Sequence, residues 1–598
     1  MNPVKVAVSP PGQFKEFSRL WKAIGELYSL EFEPRPIGDN DGCGAALLFG
    51  VADQAALGIA QNGMSCMVFP AAEEAPVASV NAPLSLASTP PLAKCLQGRT
   101  FRDQSVTRIH QWGREPGDKA LVMKGEDVLW TCTGFSQSLL HRVALRPPTL
   151  GENEYLYEYF QRDNCMRLLP LLHFLRDLCP WKRPHLRACL MFDDPNLHWR
   201  TYGYIKFPEL VDHARLHNYH VAFATVPFDG WYVHGATAKL FRENRDRLSL
   251  LIHGNDHTYA ELARQYVNGA SLALAAQALR RIERLEKRSG LEVSRVMAAP
   301  HGGCSAEMAN ALAQVGFEAA TISRWSLMNY NRTQWYPTIG FNIGEILGDA
   351  FPIIPRFKLA YEREVDIYLA AFLEKPIIVV GHHDDLKGGL GIMSDFAQRI
   401  NSVGEVSWVD MKEMARSNFC IRREGEALHV RMHSRRIRVT VPEGVTRVAV
   451  QRSWPGDSHS EQLRWRLPGG PWKTALPRVE SIETRPGEEL DIATILPNAQ
   501  NAHDVRPPSR SLWPVARRGF CEFRDRVNRS VLYTGKSASK RYEDALKSSV
   551  LYLSDCKYAL LLEDPITPVS PAAVPPHRIL LLHSIQNPHW PEQHSLWA

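Results

Sequence analysis

Between residues 187 and about 415, short apolar runs alternate with amphipathic stretches, and this alternation limits the fold more than any other feature of the chain. The spacing predicts strands at 187–192, 220–227, 248–253, 295–300, 318–323, 344–354, 376–382 and 406–410. Helices are expected between them at 207–217, 236–247, 272–288, 306–315, 363–373 and 391–400. Apolar runs of strand length separated by helix-length periodic segments are the pattern of βα units, and seven or eight of them in succession predict a parallel barrel. The polar clusters follow the strands. They therefore fall at the C-terminal ends of the strands, the face where barrel enzymes carry their chemistry.

Two of these ends stand out. The run at 190–192 closes on Asp193-Asp194-Pro195, and the run at 248–252 closes on His253-Gly254-Asn255-Asp256-His257. If a helix begins at 255–261, residues four apart share one face, and a tight loop would bring the two imidazoles together as well. Two histidines and one carboxylate form a common catalytic metal set, with coordination positions left open for water and substrate. The third ligand is expected from the Asp pair. Adjacent side chains on a strand point to opposite faces, so one Asp can hold the ion while its neighbour acts as a base. Alone, HxxxH is a weak signal and Asp-Asp-Pro is ordinary turn chemistry. The ordered pair, each member closing an apolar run, points to a metal centre.

At 598 residues the chain is too long for one domain, and three or four units are expected. Hydrophobic residues make up 44% and charged residues 22%, a globular balance. The net charge of +6 is dispersed, which argues against nucleic-acid binding. Eleven scattered Cys without a CxxC pair read as reduced thiols rather than a disulfide framework. The N-terminus enters a strand-like run directly and shows no signal peptide, and no apolar run approaches the ~18 residues of a membrane span. A cytoplasmic protein without a membrane span is expected. The sequence sets no oligomeric state.

Residues 1–145 alternate short strands (4–8, 45–49, 64–69, 120–123, 128–131) with helical stretches such as 14–30, predicting an open-sheet α/β domain of Rossmann or flavodoxin type. It carries no GxGxxG, P-loop or nucleophile elbow, and Cys66 reads as a buried thiol. A helical connector is expected at 146–186, with Leu168, Leu169, Leu172, Leu175 and Leu178 on one face. Short alternating strands at 428–432, 436–441, 447–451, 463–467 and 490–495 predict a small accessory β-sandwich over 420–498. Its Trp454, Trp465 and Trp472 suit core packing, with sugar stacking as the alternative. The Pro-rich segment 499–598 reads as a weakly ordered tail with a helix at 538–553.

Residues 185–415 resemble the NodB-type polysaccharide deacetylases, the carbohydrate esterase family 4-like proteins. The family motif T-F-D-D-G is similar to Met191-Phe192-Asp193-Asp194-Pro195, and H-[ST]-x-x-H to His253-Gly254-Asn255-Asp256-His257, with Gly in place of Ser or Thr. The motif R-P-P-[YW]-G is matched in part by Ala298-Ala299-Pro300-His301-Gly302, and L-x-H by Val380-Gly381-His382. The resemblance implies a deformed (β/α) barrel of NodB type with Asp193 as base, Asp194, His253 and His257 as metal ligands, and His382 as general acid. Asp384 or Asp385 would orient that His, while Trp199, Pro300 and His301 would line the substrate cleft. His198 and Tyr202 flank Trp199 there. Ala298 stands where the family has the Arg that orients the base.

The implied activity is removal of an N- or O-acetyl group from a carbohydrate by a hydrolase carrying a divalent metal, zinc being the expected ion. One rival is a catalytically degenerate member used for carbohydrate binding or as a scaffold, which the loss of the Arg favours. The other is a glycosidase pairing Asp193 with Glu345. Family members usually act outside the cytoplasm, so a chain without a visible export signal implies a cytoplasmic precursor sugar or an atypical start.

Overall fold

The computed structural model describes residues 3–113, 117–267, 269–454, 461–475, 481–509, 512–516 and 518–520. The helix expected at 538–553 lies outside them. At the centre is a parallel sheet in the order Phe351–Pro355, Ala319–Ile322, Val293–Ala298, Leu248–His253, Val221–Thr225, Arg187–Asp193, Ile377–Gly381, Phe357–Lys358. Its two end members, Phe351–Pro355 and Phe357–Lys358, are consecutive in the chain, separated by Arg356 alone. The sheet therefore curls until its ends meet at Arg356. The run expected as one strand at 344–354 is instead a hairpin: Glu345–Leu347 turns at Gly348 (φ 65°) and pairs antiparallel with Phe351–Pro355.

Both faces of the sheet are buried, which is why its strands read as continuous apolar runs. The inner face is filled by small and medium side chains, among them Cys189, Met191, Ala222, Ala224, Leu251, Val296, Ala298 and Val380. The outer face packs Leu190, Phe192, Phe223 and Ile252 under helices that include Phe207–Leu216, Gly235–Glu243, Ala270–Ser289 and Ala306–Gln314. Alternation then dictates what stands at the C-terminal end of each inner column. The column 189, 191 leads to Asp193, 251 leads to His253, 354 to Arg356, and 378, 380 to His382. The four side chains stand at the C-terminal ends of their columns, where the curl of the sheet brings them towards one another.

The N-terminal sheet is parallel through Leu30–Pro34, Val4–Ser9, Ala45–Phe49, Cys66–Phe69 and Leu139–Val143. Its other half, Asp127–Gly134, Lys119–Lys124, Leu84–Leu86 and Thr100–Phe101, is antiparallel. The expected open α/β sheet is thus mixed rather than doubly wound throughout. The expected helical connector holds one α-helix, Leu169–Arg176, whose leucines pack into the main core.

Past residue 418, two four-stranded sheets enclose a shared core. Trp454 is in that core, while the Trp472 ring lies against the guanidinium groups of Arg436 and Arg466. The tail expected to be weakly ordered from 499 is packed at its start. Ala502 and Val505 are buried, and Arg280 donates to the Val505 carbonyl (2.7 Å). No helix among the described residues is long and apolar enough to cross a membrane.

Candidate metal centre and active site

Asp193 is the last residue of its strand and is buried. Asp194 then turns into the left-handed region (φ 62°), which breaks strand alternation and lets the second carboxylate face the same centre as the first. His253 ends its strand with side chain buried, and His257 follows in a loop, not a helix, again at positive φ (53°). Seven non-glycine residues have positive φ among those described, and four of them, Asp194, His257, Ala260 and His301, surround this point. Strain of this kind persists where surrounding structure over-determines it, and it concentrates at functional sites.

Asp194 Oδ1 lies 3.2 Å from His253 Nε2 and 2.9 Å from His257 Nε2. The three donor atoms fall within 4.8 Å of one another. His253 Nδ1 faces the Ala298 carbonyl at 3.0 Å, so that nitrogen carries a hydrogen. In the neutral ring, Nε2 then presents a lone pair to a carboxylate oxygen. Two acceptors at such a distance are stable only with a cation between them or a second proton on the imidazole. Asp194 Oδ1 is buried without a hydrogen-bond partner of acceptable geometry, although both imidazoles are within range. One carboxylate and two imidazoles fit zinc or another first-row divalent ion, with positions left open. Burial would raise the Asp194 carboxyl, but the two imidazoles outweigh it and hold the group well below the usual carboxylate range.

Glu261 shapes the His loop. Its buried carboxylate accepts backbone N–H groups from Asn255 (2.7 Å), Asp256 (3.0 Å) and His257 (3.0 Å). Gly254 (φ 60°) is required by this arrangement, since a Cβ there would lie 1.9 Å from Glu261 Oε1 and 2.5 Å from Pro300 Cγ. The departure from Ser or Thr at residue 254 is therefore matched by a carboxylate that organises the loop from elsewhere.

Ala298 brings no cation to Asp193, and Arg356 stands beside that carboxylate instead. Its Nη1 is 3.0 Å from Asp193 Oδ1, and both side chains are almost fully buried. Burial pushes the Asp193 carboxyl up, but Arg356, His253 and His382 outweigh it and bring it below its ordinary value. Tyr202 donates to the Asp193 carbonyl (2.6 Å), fixing the strand end. Sequence reasoning missed Arg356, Glu261 and the anchoring role of Tyr202. The available signal was a lone Arg inside the apolar stretch 351–359.

His382 caps a short 3₁₀ turn, His383–Leu386. Its carbonyl accepts the Asp385 backbone N–H (3.0 Å), while the Asp385 carboxylate accepts the His382 backbone N–H (2.8 Å). Asp384 is exposed and sits against His383 Nδ1 (3.4 Å), so the carboxylate that touches His382 is Asp385. His383 packs edge-on against the Tyr202 ring (4.9 Å). Pro300 is buried under the His loop, and the His301 ring (φ 56°) lies tilted beside His257 at 5.1 Å. Trp199 is 46% exposed, with its carbonyl held by Thr237 Oγ1 (2.8 Å). Glu345, the second carboxylate of the glycosidase reading, is buried and accepts from Tyr336, Gly340 and Asn342. It is committed to its own hairpin.

No protein-family model matches the chain, and no curated protein matches it. Among solved structures the chain is similar to Agd3, described as a novel carbohydrate deacetylase, with a TM-score of 0.45 and 10% identity over 83% of this chain and 99% of that one. It is also similar to a putative polysaccharide deacetylase from Mycobacterium smegmatis (TM-score 0.28, 13% identity, 40% of this chain and 93% of that one). A third is a family 4 carbohydrate esterase from Streptomyces lividans in complex with acetate (TM-score 0.22, 11% identity, 37% and 87%). Identities and scores this low leave the chemistry to be judged from the residues themselves.

Proposed function

We propose that the protein is a metal-dependent hydrolase that removes an acetyl group from a carbohydrate. The observation that carries the reading is the facing of Asp194 Oδ1 by two imidazole Nε2 atoms, beside a second carboxylate held by a buried Arg. A divalent ion held by Asp194, His253 and His257, zinc being the expected one, would polarise the acyl oxygen and make water a competent nucleophile near neutral pH. Asp193 takes a proton from the attacking water, and Arg356 keeps it ionised and aimed for that task. His382 gives a proton to the departing nitrogen or oxygen of the sugar. The acyl carbon leaves as acetate, and both protons are accounted for. The reading of a degenerate binding module rested on the missing Arg at residue 298, and Arg356 removes that motive.

The test is acetate release from acetylated sugars by metal-replete protein, with Asp193→Asn as comparison. Loss of the base costs ~10²–10⁴-fold in rate, with metal content retained. Absence of release from acetylated sugars and from a generic acetyl ester would overturn the proposal.

A further inference from the structure

The inner columns that end on the metal site begin on a second polar cluster at the other end of the sheet. The column of Leu251 and His253 starts at Ser249, that of Ala222 and Ala224 at His220, and that of Val296 and Ala298 at Ser294. Ser249 and His253 stand at opposite ends of one strand, about 13 Å apart at the ~3.3 Å rise of a strand residue. Helix Met411–Arg416 closes this end, with Met411, Met414 and Ala415 in the inner-face core.

Ser249 Oγ lies 2.7 Å from His220 Nε2, and His220 Nδ1 lies 3.1 Å from the Asp246 carbonyl. A carbonyl only accepts, so Nδ1 carries the hydrogen and Nε2 offers its lone pair to the Ser249 hydroxyl. A nucleophile touching a base, with the base held in the right tautomer by a third group, is the arrangement that activates a serine. His220 is buried, and burial holds its pKa below the ordinary imidazole value, so the ring is neutral and ready to take a proton at neutral pH. Other buried imidazoles meet partners that are themselves buried: His141 meets Trp130 and Cys132, and His433 meets Cys420. Ser249 differs. It is only half-buried and lines a small cavity with Arg242, Arg245, Glu292, Ser294, Asp410 and Lys412. Glu292 is paired with Lys412 and Arg245, and the Asp410 carboxylate accepts the Glu413 N–H (2.7 Å) at the start of the closing helix. Three cations against two carboxylates give the opening a positive excess, which disfavours a cationic ligand.

We propose that Ser249 and His220 form a second nucleophilic centre, independent of the metal site, that takes a small neutral or anionic acyl ester. Ser249 Oγ bonds to the carbonyl carbon and its proton passes to His220 Nε2. The bond to the alcohol oxygen breaks, and the alcohol leaves with that proton. Water then attacks the acyl-serine, giving a proton to the same nitrogen. The bond to Oγ breaks, Oγ recovers the proton, and the carboxylic acid departs.

The test is reaction of the full-length protein with diisopropyl fluorophosphate, which bonds phosphorus to an activated serine Oγ and expels fluoride. Mass spectrometry of the digested protein locates the adduct. One adduct per chain is expected, on Ser249, formed equally fast with and without a chelator that strips divalent ions. Ser249→Ala should abolish it, with metal content and melting temperature unchanged. His220→Gln should slow it by ~10²–10⁴-fold, the loss typical of base removal. The wild-type result is decisive by itself, so the test survives a His220→Gln chain that fails to fold. No adduct, an adduct on another residue, or an undiminished rate in folded His220→Gln overturns the proposal. Labelling that disappears with the chelator also overturns it, because the reactivity would then belong to the metal site.

Discussion

Removing Glu261 should loosen the metal site without touching a ligand. The carboxylate holds three successive N–H groups, two on Oε1 (Asn255 and His257) and one on Oε2 (Asp256). Glu261→Ala leaves all three without that acceptor. A buried donor left unsatisfied costs ~1–3 kcal/mol, and water can reach the half-buried Asp256 and His257, so about 1 kcal/mol each is the appropriate end of the range. His257 also loses the clamp that holds it at φ 53°, a conformation disfavoured by roughly 1–2 kcal/mol for an L-residue. An ion must then restore the loop as it binds, so at least about 4 kcal/mol of affinity is lost, or roughly a thousandfold in Kd. Glu261→Gln keeps the oxygen that serves two of the three donors and turns an NH₂ toward the third. It should weaken the metal by about fivefold, equivalent to one lost bond of ~1 kcal/mol. Competition with a chromophoric chelator measures both constants. Wild-type affinity in Glu261→Ala would refute the reasoning, as would equal losses in the Ala and Gln variants.

Arg356→Ala should keep the metal and lose turnover, because Asp193 is left buried beside no guanidinium and its carboxyl rises. A loss approaching the ~10²–10⁴-fold of base removal is expected, and metal loss with intact turnover would contradict it. His382→Ala should abolish the alkaline limb of the pH–rate profile and His383→Ala should preserve it, because His383 packs on Tyr202; equal loss in both would end that assignment. Acid should destabilise the fold before carboxylates titrate. Burial depresses His141 and His433 to about 3 and His173 to about 4. These groups are neutral when folded and take a proton near pH 6.5 when unfolded, so their stabilisation is complete above that pH and is lost as pH falls towards 4–3. Each contributes ~1.4 kcal/mol per pH unit, or about 4 kcal/mol together at pH 5.5. A melting temperature flat from pH 7 to 5 would exclude this.

Much of the central sheet was legible because its strands are buried on both faces and bounded by polar ends. Leu248–His253 was located to the residue, and helix Ala306–Gln314 to within one. Where a strand was misjudged, at 344–354, continuous hydrophobicity concealed the turn at Gly348. The clustering of Asp194 with His253 and His257 was legible because the two His are local in sequence and Asp194 follows the end of a neighbouring strand. Arg356 and Glu261 were not, since each acts across 163 or a few residues through geometry that periodicity does not encode. The convergence of Arg356 on Asp193 depends on the sheet curling until its ends meet. The first turn of the tail was misread for a similar reason: Ala502 and Val505 bury against helix Ala270–Ser289, a long-range contact that Pro-rich composition masks.

The most direct measurement is the metal content of purified protein by elemental analysis, beside His253→Ala/His257→Ala. About one divalent ion per chain is expected in the wild type and essentially none in the double variant, with the fold retained because these loops add little to the core. Full occupancy in the double variant, or no divalent ion bound by the wild type when metal is supplied, would contradict the metal centre and the chemistry built on it.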